Sequence, residues 1–130
     1  MAAERDDARA ARALTVATLR REGDEIVVKL NDLEKAGALR GDVRVPTSCV
    51  RAVRVSQTPF RELRGVRAPG TGVPGVVALG TWRGGGGKDF AAIYRGGPAV
   101  VVELEAGEYR RLIVSAHDAA EVVAALADTP

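Results

Sequence analysis

The sequence predicts a mainly β fold, an antiparallel barrel or sandwich of seven or eight strands closed by one C-terminal helix, and three observations carry that expectation. Apolar residues recur with a period of two through most of the chain, the spacing that puts alternate side chains on one face of a strand. Short Gly, Pro and Asp turns separate these runs and leave little room for crossover helices between them. The segment that starts at Asp118 has helical spacing, with Ala119, Val122, Val123 and Leu126 on one stripe.

Residues 1 to 13, MAAERDDARAARA, contain no apolar stripe that would anchor a helix and read as a flexible tail, which leaves residues 14 to 127 as a single domain. Leu14, Val16 and Thr18 alternate up to a turn at Gly23-Asp24, and Ile26, Val28 and Leu30 return as the second arm of a hairpin. Asn31 or Asp32 then caps a short helix through Leu33, Ala36 and Leu39 that stops at Gly41. Asp42-Val-Arg-Val-Pro46 is a strand ended by proline. In Val50-Arg-Ala-Val-Arg-Val55 the alternation slips at Arg51-Ala52, and a β-bulge there restores it. From Gln57 to Pro74 the alternation stops. Thr58-Pro59 starts a helical turn through Phe60, Leu63 and Val66, and the following Pro and Gly residues predict an irregular loop.

The central stretch, Gly75 to Arg95, reads as a hairpin around Gly84 to Gly87. Pairing outward from the turn sets Arg83 against Lys88, Thr81 against Phe90, Leu79 against Ala92 and Val77 against Tyr94. Like charges across a ladder repel, so Arg83 and Lys88 either splay apart in solvent or share a visiting anion. Ala99 to Glu105 and Tyr109 to Ser115 are the last strands, with a turn at Ala106-Gly107-Glu108, and Asp118 and Glu121 have capping-box spacing before the helix.

With 130 residues and a net charge of +2, the chain has the size of one domain, and it contains no apolar run long enough to span a membrane. The first residues lack the apolar core of a secretory signal, so a cytoplasmic location is expected. One cysteine, Cys49, and one histidine, His117, supply neither a disulfide framework nor a zinc site, so no metal or cofactor is expected. Charge is uneven. Residues 42 to 96 hold nine basic and three acidic side chains, whereas residues 97 to 130 hold two and six. Two Phe, two Tyr and one Trp are too few for a base-stacking platform, which argues against nucleic acid as a partner.

Val45-Pro46 followed by Val50-x-x-Val53-x-Val55, with the capped helix at the end, resembles the bacterial pleckstrin-homology-like (PH-like) proteins over roughly residues 14 to 127. The stretch from Arg64 to Thr81, together with Lys88-Asp-Phe-Ala-Ala92, is similar to a group of small uncharacterised PH-like members. The resemblance implies a binding or assembly module rather than an enzyme. It does not imply lipid head-group binding, because Arg20-Arg21-Glu22-Gly23-Asp24-Glu25 sets three acids beside two arginines and lacks the family's lysine-then-arginine spacing.

Catalytic signals are weak. His117, Ser115 and Cys49 supply side chains for nucleophilic chemistry, but no nucleophile elbow surrounds them. Gly84 to Gly87 before Lys88 invites a phosphate-loop reading, which fails because Asp89 and a strand follow instead of Ser or Thr and a helix. A surface expectation is left. Arg61, Arg64 and Arg67, at helical spacing, join Trp82, Arg83 and Lys88 in one basic ledge with an aromatic anchor, suited to an acidic protein segment or another anion. The function expected is therefore a non-enzymatic module that binds a protein partner or self-associates. The alternative is a carrier that holds an apolar ligand or lipid inside the barrel.

Overall fold

The computed structural model describes residues 17–31, 34–35, 41–63, 66–73, 77–84 and 86–127. Among these, nine strands form two sheets, a more divided arrangement than one closed barrel of seven or eight strands. The smaller sheet is the meander β1 (Thr18–Glu22), β2 (Glu25–Lys29) and β3 (Val43–Pro46). The larger runs in the order β4 (Val50–Ser56), β8 (Ala99–Leu104), β9 (Arg111–Ser115), β7 (Gly87–Tyr94), β6 (Val77–Gly84), β5 (Val66–Val73). One helix, α1 (Ala119–Ala127), follows and contacts β4, β8 and β1.

The first hairpin turns at Gly23, whose φ of 63° is the left-handed conformation that glycine adopts without steric cost. The predicted residues before Ala17 lie outside the described part. Asn31 is the residue that starts the short helix. Its Oδ1 accepts from the Glu34 N–H at 2.8 Å and Glu34 Oε1 accepts from the Asn31 N–H at 3.0 Å, a reciprocal cap. The rest of that predicted helix lies outside the described residues. In β4 the register steps from Val50↔Leu104 to Ala52↔Glu103, so Arg51 is the extra residue of a bulge, as the slipped alternation predicts.

The central hairpin has the predicted register, with Thr81↔Phe90, Leu79↔Ala92, Val77↔Tyr94 and Arg83↔Lys88 as partners. The segment after it departs from an all-antiparallel sheet. β9 turns back from β8 and inserts between β8 and β7; being antiparallel to β8, it runs parallel to β7. A second difference lies in the proline- and glycine-rich segment. Val66–Val73 is a strand, β5, paired with β6, and the register steps from Arg67↔Trp82 to Gly70↔Gly80. That irregularity takes up Ala68 and Pro69, so the proline that cannot donate falls where the ladder is already interrupted.

The register divides the large sheet into two faces. On one, Leu79, Phe90, Ala92, Val100, Val102, Leu112 and Val114 pack with Leu19, Ile26, Val28, Val43 and Val45 of the small sheet and with Ala119 and Leu126 of α1. The stripe predicted for the helix is the one that packs, and one core joins both sheets. On the other face, Ala78, Trp82, Ala91, Ile93, Ala99, Val101 and Ile113 are covered by Phe60 and Leu63 from the turn after β4. Burial on both faces explains why β8 and β9 read as unbroken apolar runs, Val100-Val101-Val102 and Leu112-Ile113-Val114.

Candidate functional site

The covering turn begins where β4 ends. Pro59 occupies the first position of a 3₁₀ turn, Pro59–Glu62, where its missing N–H costs nothing. Three of the neighbouring side chains point into the protein. Phe60 and Leu63 join the apolar cluster, and Glu62 meets two arginines. Arg54 donates to Glu62 through both terminal nitrogens, at 3.0 and 2.9 Å, and through Nε to Glu103 at 3.1 Å. Arg111 donates Nη1 to Glu62 Oε1 at 3.0 Å and Nη2 to Asp89 Oδ2 at 2.7 Å, and also bonds the Glu62 carbonyl.

Glu103, Arg111 and Asp89 are cross-strand partners in one row over β8, β9 and β7, so the register alone brings the charges together. The bidentate bond from Arg54 holds the Glu62 carboxyl down at about 2, against the opposing effect of partial burial. The same carboxylates push the Arg54 guanidinium up, Glu62 first and Glu103 after it. Sequence reading missed this network, because Glu62 and Arg111 are far apart in the chain and only the parallel insertion of β9 brings Arg111 beside Asp89.

With Phe60, Glu62 and Leu63 turned inward, Arg61 is left exposed on the outer side of the turn. It lines a cleft of about 360 Å³ with Thr58, Phe60, Tyr94, Arg95 and Gly96. One wall is the Pro59–Glu62 turn and the other is the bend after β7, where Gly96 has a φ of 92°. Among the described residues, no acid lines this cleft. Tyr94 also lines it; its ring packs against the core between the sheets, its hydroxyl is bonded to Glu34, and its phenol is pushed up by burial first and by that carboxylate second.

The register sets Arg67, Trp82, Arg83 and Lys88 of the expected basic ledge at neighbouring positions on β5, β6 and β7, whereas Arg61 lines a cleft without them. Arg64 lies outside the described residues. Arg67 is on β5 opposite Trp82, so it does not continue a helical series from Arg61. Trp82 is only 8% exposed and packs in the second cluster, which removes it as a surface anchor. Arg83 is exposed, while Lys88 turns away from it to Glu108 at 3.3 Å and sits 5.8 Å above the Tyr109 ring. Glu108 and the Tyr109 ring therefore offset the charge of Lys88. Arg61 lines a cleft with Tyr94, a residue roughly 20 Å along β7 from Lys88 at about 3.3 Å per residue. Arg95, which sequence reading passed over, is the cation that shares its cleft.

The glycine turn has a structural reason. The Arg110 side chain lies across it and bonds the Gly86 carbonyl, and a Cβ on Gly87 would meet Arg110 Cδ at 2.6 Å. A strand follows, as the failed phosphate-loop reading requires. The candidate nucleophiles are not assembled. Cys49 sits beside the Leu104 end of β8, and Ser115 pairs with Ala99 at the other end, about 17 Å away at ~3.4 Å per residue. Ser115 Oγ is engaged with the Tyr94 backbone, accepting from its N–H at 2.8 Å.

Near the first hairpin the charges cancel, as its sequence suggests. Arg20 meets Glu22 at 2.8 Å, and Arg44 lies 3.5 Å from both Glu22 and Glu25. Among the described residues no group of His, Cys, Asp or Glu has the arrangement of a metal site, and no helix is long and apolar enough to cross a membrane. Comparison of this chain with protein-family models, with curated proteins and with solved structures finds no match.

Proposed function

We propose that this chain is a non-enzymatic interaction module of PH-like type that docks a protein partner or a second copy of itself through its basic surface. One observation carries the reading. In residues 42 to 96 each acid is engaged inside the fold: Asp42 accepts from the Leu30 N–H at 2.8 Å, and Glu62 and Asp89 are held by Arg54 and Arg111. Four arginines, Arg51, Arg61, Arg83 and Arg95, are exposed and have no acidic partner among the described residues. A segment with its own anions withdrawn and its cations presented favours acidic partners and steers their approach.

The PH-like assignment is supported by the run of strands closed by α1. The parallel β7–β9 pair departs from the all-antiparallel arrangement expected of that resemblance. The carrier alternative receives less support. Phe90, Leu112, Val100 and Val102 fill the space between the two sheets, and the described clefts are lined by turn residues.

The test combines crosslinking in native extract with mass in solution. A captured partner, or a dimer, that is lost when Arg51, Arg61, Arg83 and Arg95 are all replaced by Glu supports the reading. A wild-type monomer that captures nothing overturns it, as does a partner held equally by the charge-reversed chain.

A further inference from the structure

The two described clefts differ in the sign of their lining. The one beside the glycine turn, about 660 Å³, sets Arg51, Lys88, Arg110 and Arg111 against Glu103, Glu105 and Glu108, so it is nearly balanced. Three of its four cations are also occupied, Lys88 by Glu108, Arg110 by the Gly86 carbonyl and Arg111 by Asp89 and Glu62, and Arg51 faces the three carboxylates of the lining. Among the described residues, the cleft between the Pro59–Glu62 turn and the bend after β7 has two cations and no acid, and neither cation has an acidic partner.

We propose that this second cleft binds an acidic peptide segment, gripped by Arg61 from one wall and Arg95 from the other. The inference rests on the interaction reading and names the site and the ligand class within it. Three features favour a peptide over a small enclosed anion. The guanidinium-bearing residues are both exposed, so the cleft is an open groove that a chain can cross. Gly96 and Gly97 are exposed as well, and a Cβ built on either meets nothing within 4 Å, so backbone can approach backbone there. The N–H groups of these two glycines have no acceptor among the described residues and supply donors for a peptide carbonyl or carboxylate.

Phe60, half-buried, adds an apolar part to the lining, which suits a segment that alternates acidic and apolar side chains. The wall that holds Arg61 is also fixed in place. Phe60 and Leu63 pack beneath it and Glu62 is bonded on two sides, so Arg61 is presented from a turn whose position is set before any ligand arrives. Arginine forks carboxylates in two parallel bonds, and two such forks without competing acids select for a pair of carboxylates rather than one.

The experiment measures fluorescence anisotropy of a labelled synthetic peptide of alternating Glu and Leu, with full-length wild type, Arg61→Glu/Arg95→Glu and Arg51→Glu/Arg83→Glu. The two double variants change net charge equally. Binding that weakens about tenfold or more in the first and about twofold or less in the second, together with amide shifts at Gly96 and Gly97 on titration, supports the proposal. Equal weakening in both variants shows diffuse attraction and overturns it. Displacement of the peptide by inorganic phosphate at matched charge concentration makes the cleft a small-anion site and also overturns it.

Mass in solution and partner capture, measured on the same variants, separate the two levels. A partner or dimer retained by Arg61→Glu/Arg95→Glu while wild type ignores the peptide removes the cleft and leaves the interaction reading standing. Wild type that binds neither peptide nor partner removes both. Both side chains are exposed, so thermal melting of the variants is expected to match wild type and to exclude misfolding as the cause.

Discussion

Arg111 Nη2 lies 2.7 Å from Asp89 Oδ2 across the parallel pair of β9 and β7, and the two side chains are only 10% and 3% exposed. An ion pair this deep strengthens the fold only while both partners are present, because each charge has already lost its water. Asp89→Ala is therefore expected to cost about 3–5 kcal/mol in urea unfolding. Asp89→Leu combined with Arg111→Met is expected to recover a large part of that loss. A single-variant loss below about 1 kcal/mol would show the pair to be incidental.

Glu62 makes acid stability a readout of the covering turn. Its carboxyl is held at about 2 in the fold, below the 4.5 of an unperturbed Glu, so between these values the unfolded chain carries the extra proton. The stabilisation is therefore complete above about pH 5 and is lost as pH falls toward about 2. With the side chain partly open to solvent, about 2 kcal/mol is expected from this group. Glu62→Gln is expected to be less stable than wild type at neutral pH and to lose less on acidification. Parallel pH profiles for the two proteins would count against the network.

Trp82 separates a packing role from a binding role. Its ring lies in the cluster with Ala91, Ile113 and Phe60, so Trp82→Ala is expected to cost about 3–5 kcal/mol of stability. Trp82→Phe keeps most of the buried area and is expected to leave peptide affinity unchanged. If Trp82→Phe reduced affinity with stability intact, the ring would be contacting a ligand.

These residues show what the sequence makes visible. The register of β6 and β7 follows from the glycine turn and the alternation beside it, and the bulge at Arg51 follows from Val50 and Val53 being out of phase. Both are local. β5 was hidden because Pro69, Gly70 and Gly72 carry loop chemistry, and only a partner strand at Val77–Gly84 makes a strand of them. The second covered face was announced by the unbroken apolar runs of β8 and β9, which a barrel with a wet outer side does not need. Arg111 beside Asp89, and Arg61 beside Arg95, depend on strand order and on a turn folding over the sheet, so no spacing in the chain records either.

Gly87 tests whether the glycine run serves the fold. Two separate costs attend a side chain there: a φ of 138°, which residues with a Cβ rarely adopt, and contacts with Arg110 Cδ at 2.6 Å and Cγ at 2.8 Å. Gly87→Ala is expected to destabilise by about 1–3 kcal/mol. Gly97→Ala, with nothing within 4 Å of its Cβ, is expected to stay within about 0.5 kcal/mol of wild type. In an Arg110→Ala background the contacts vanish and the backbone cost persists, so Gly87→Ala is expected to cost roughly half as much there. A double-mutant cycle with no coupling would mean that Arg110 does not rest on the turn. Unchanged stability in the single variant would mean that the turn accepts a side chain.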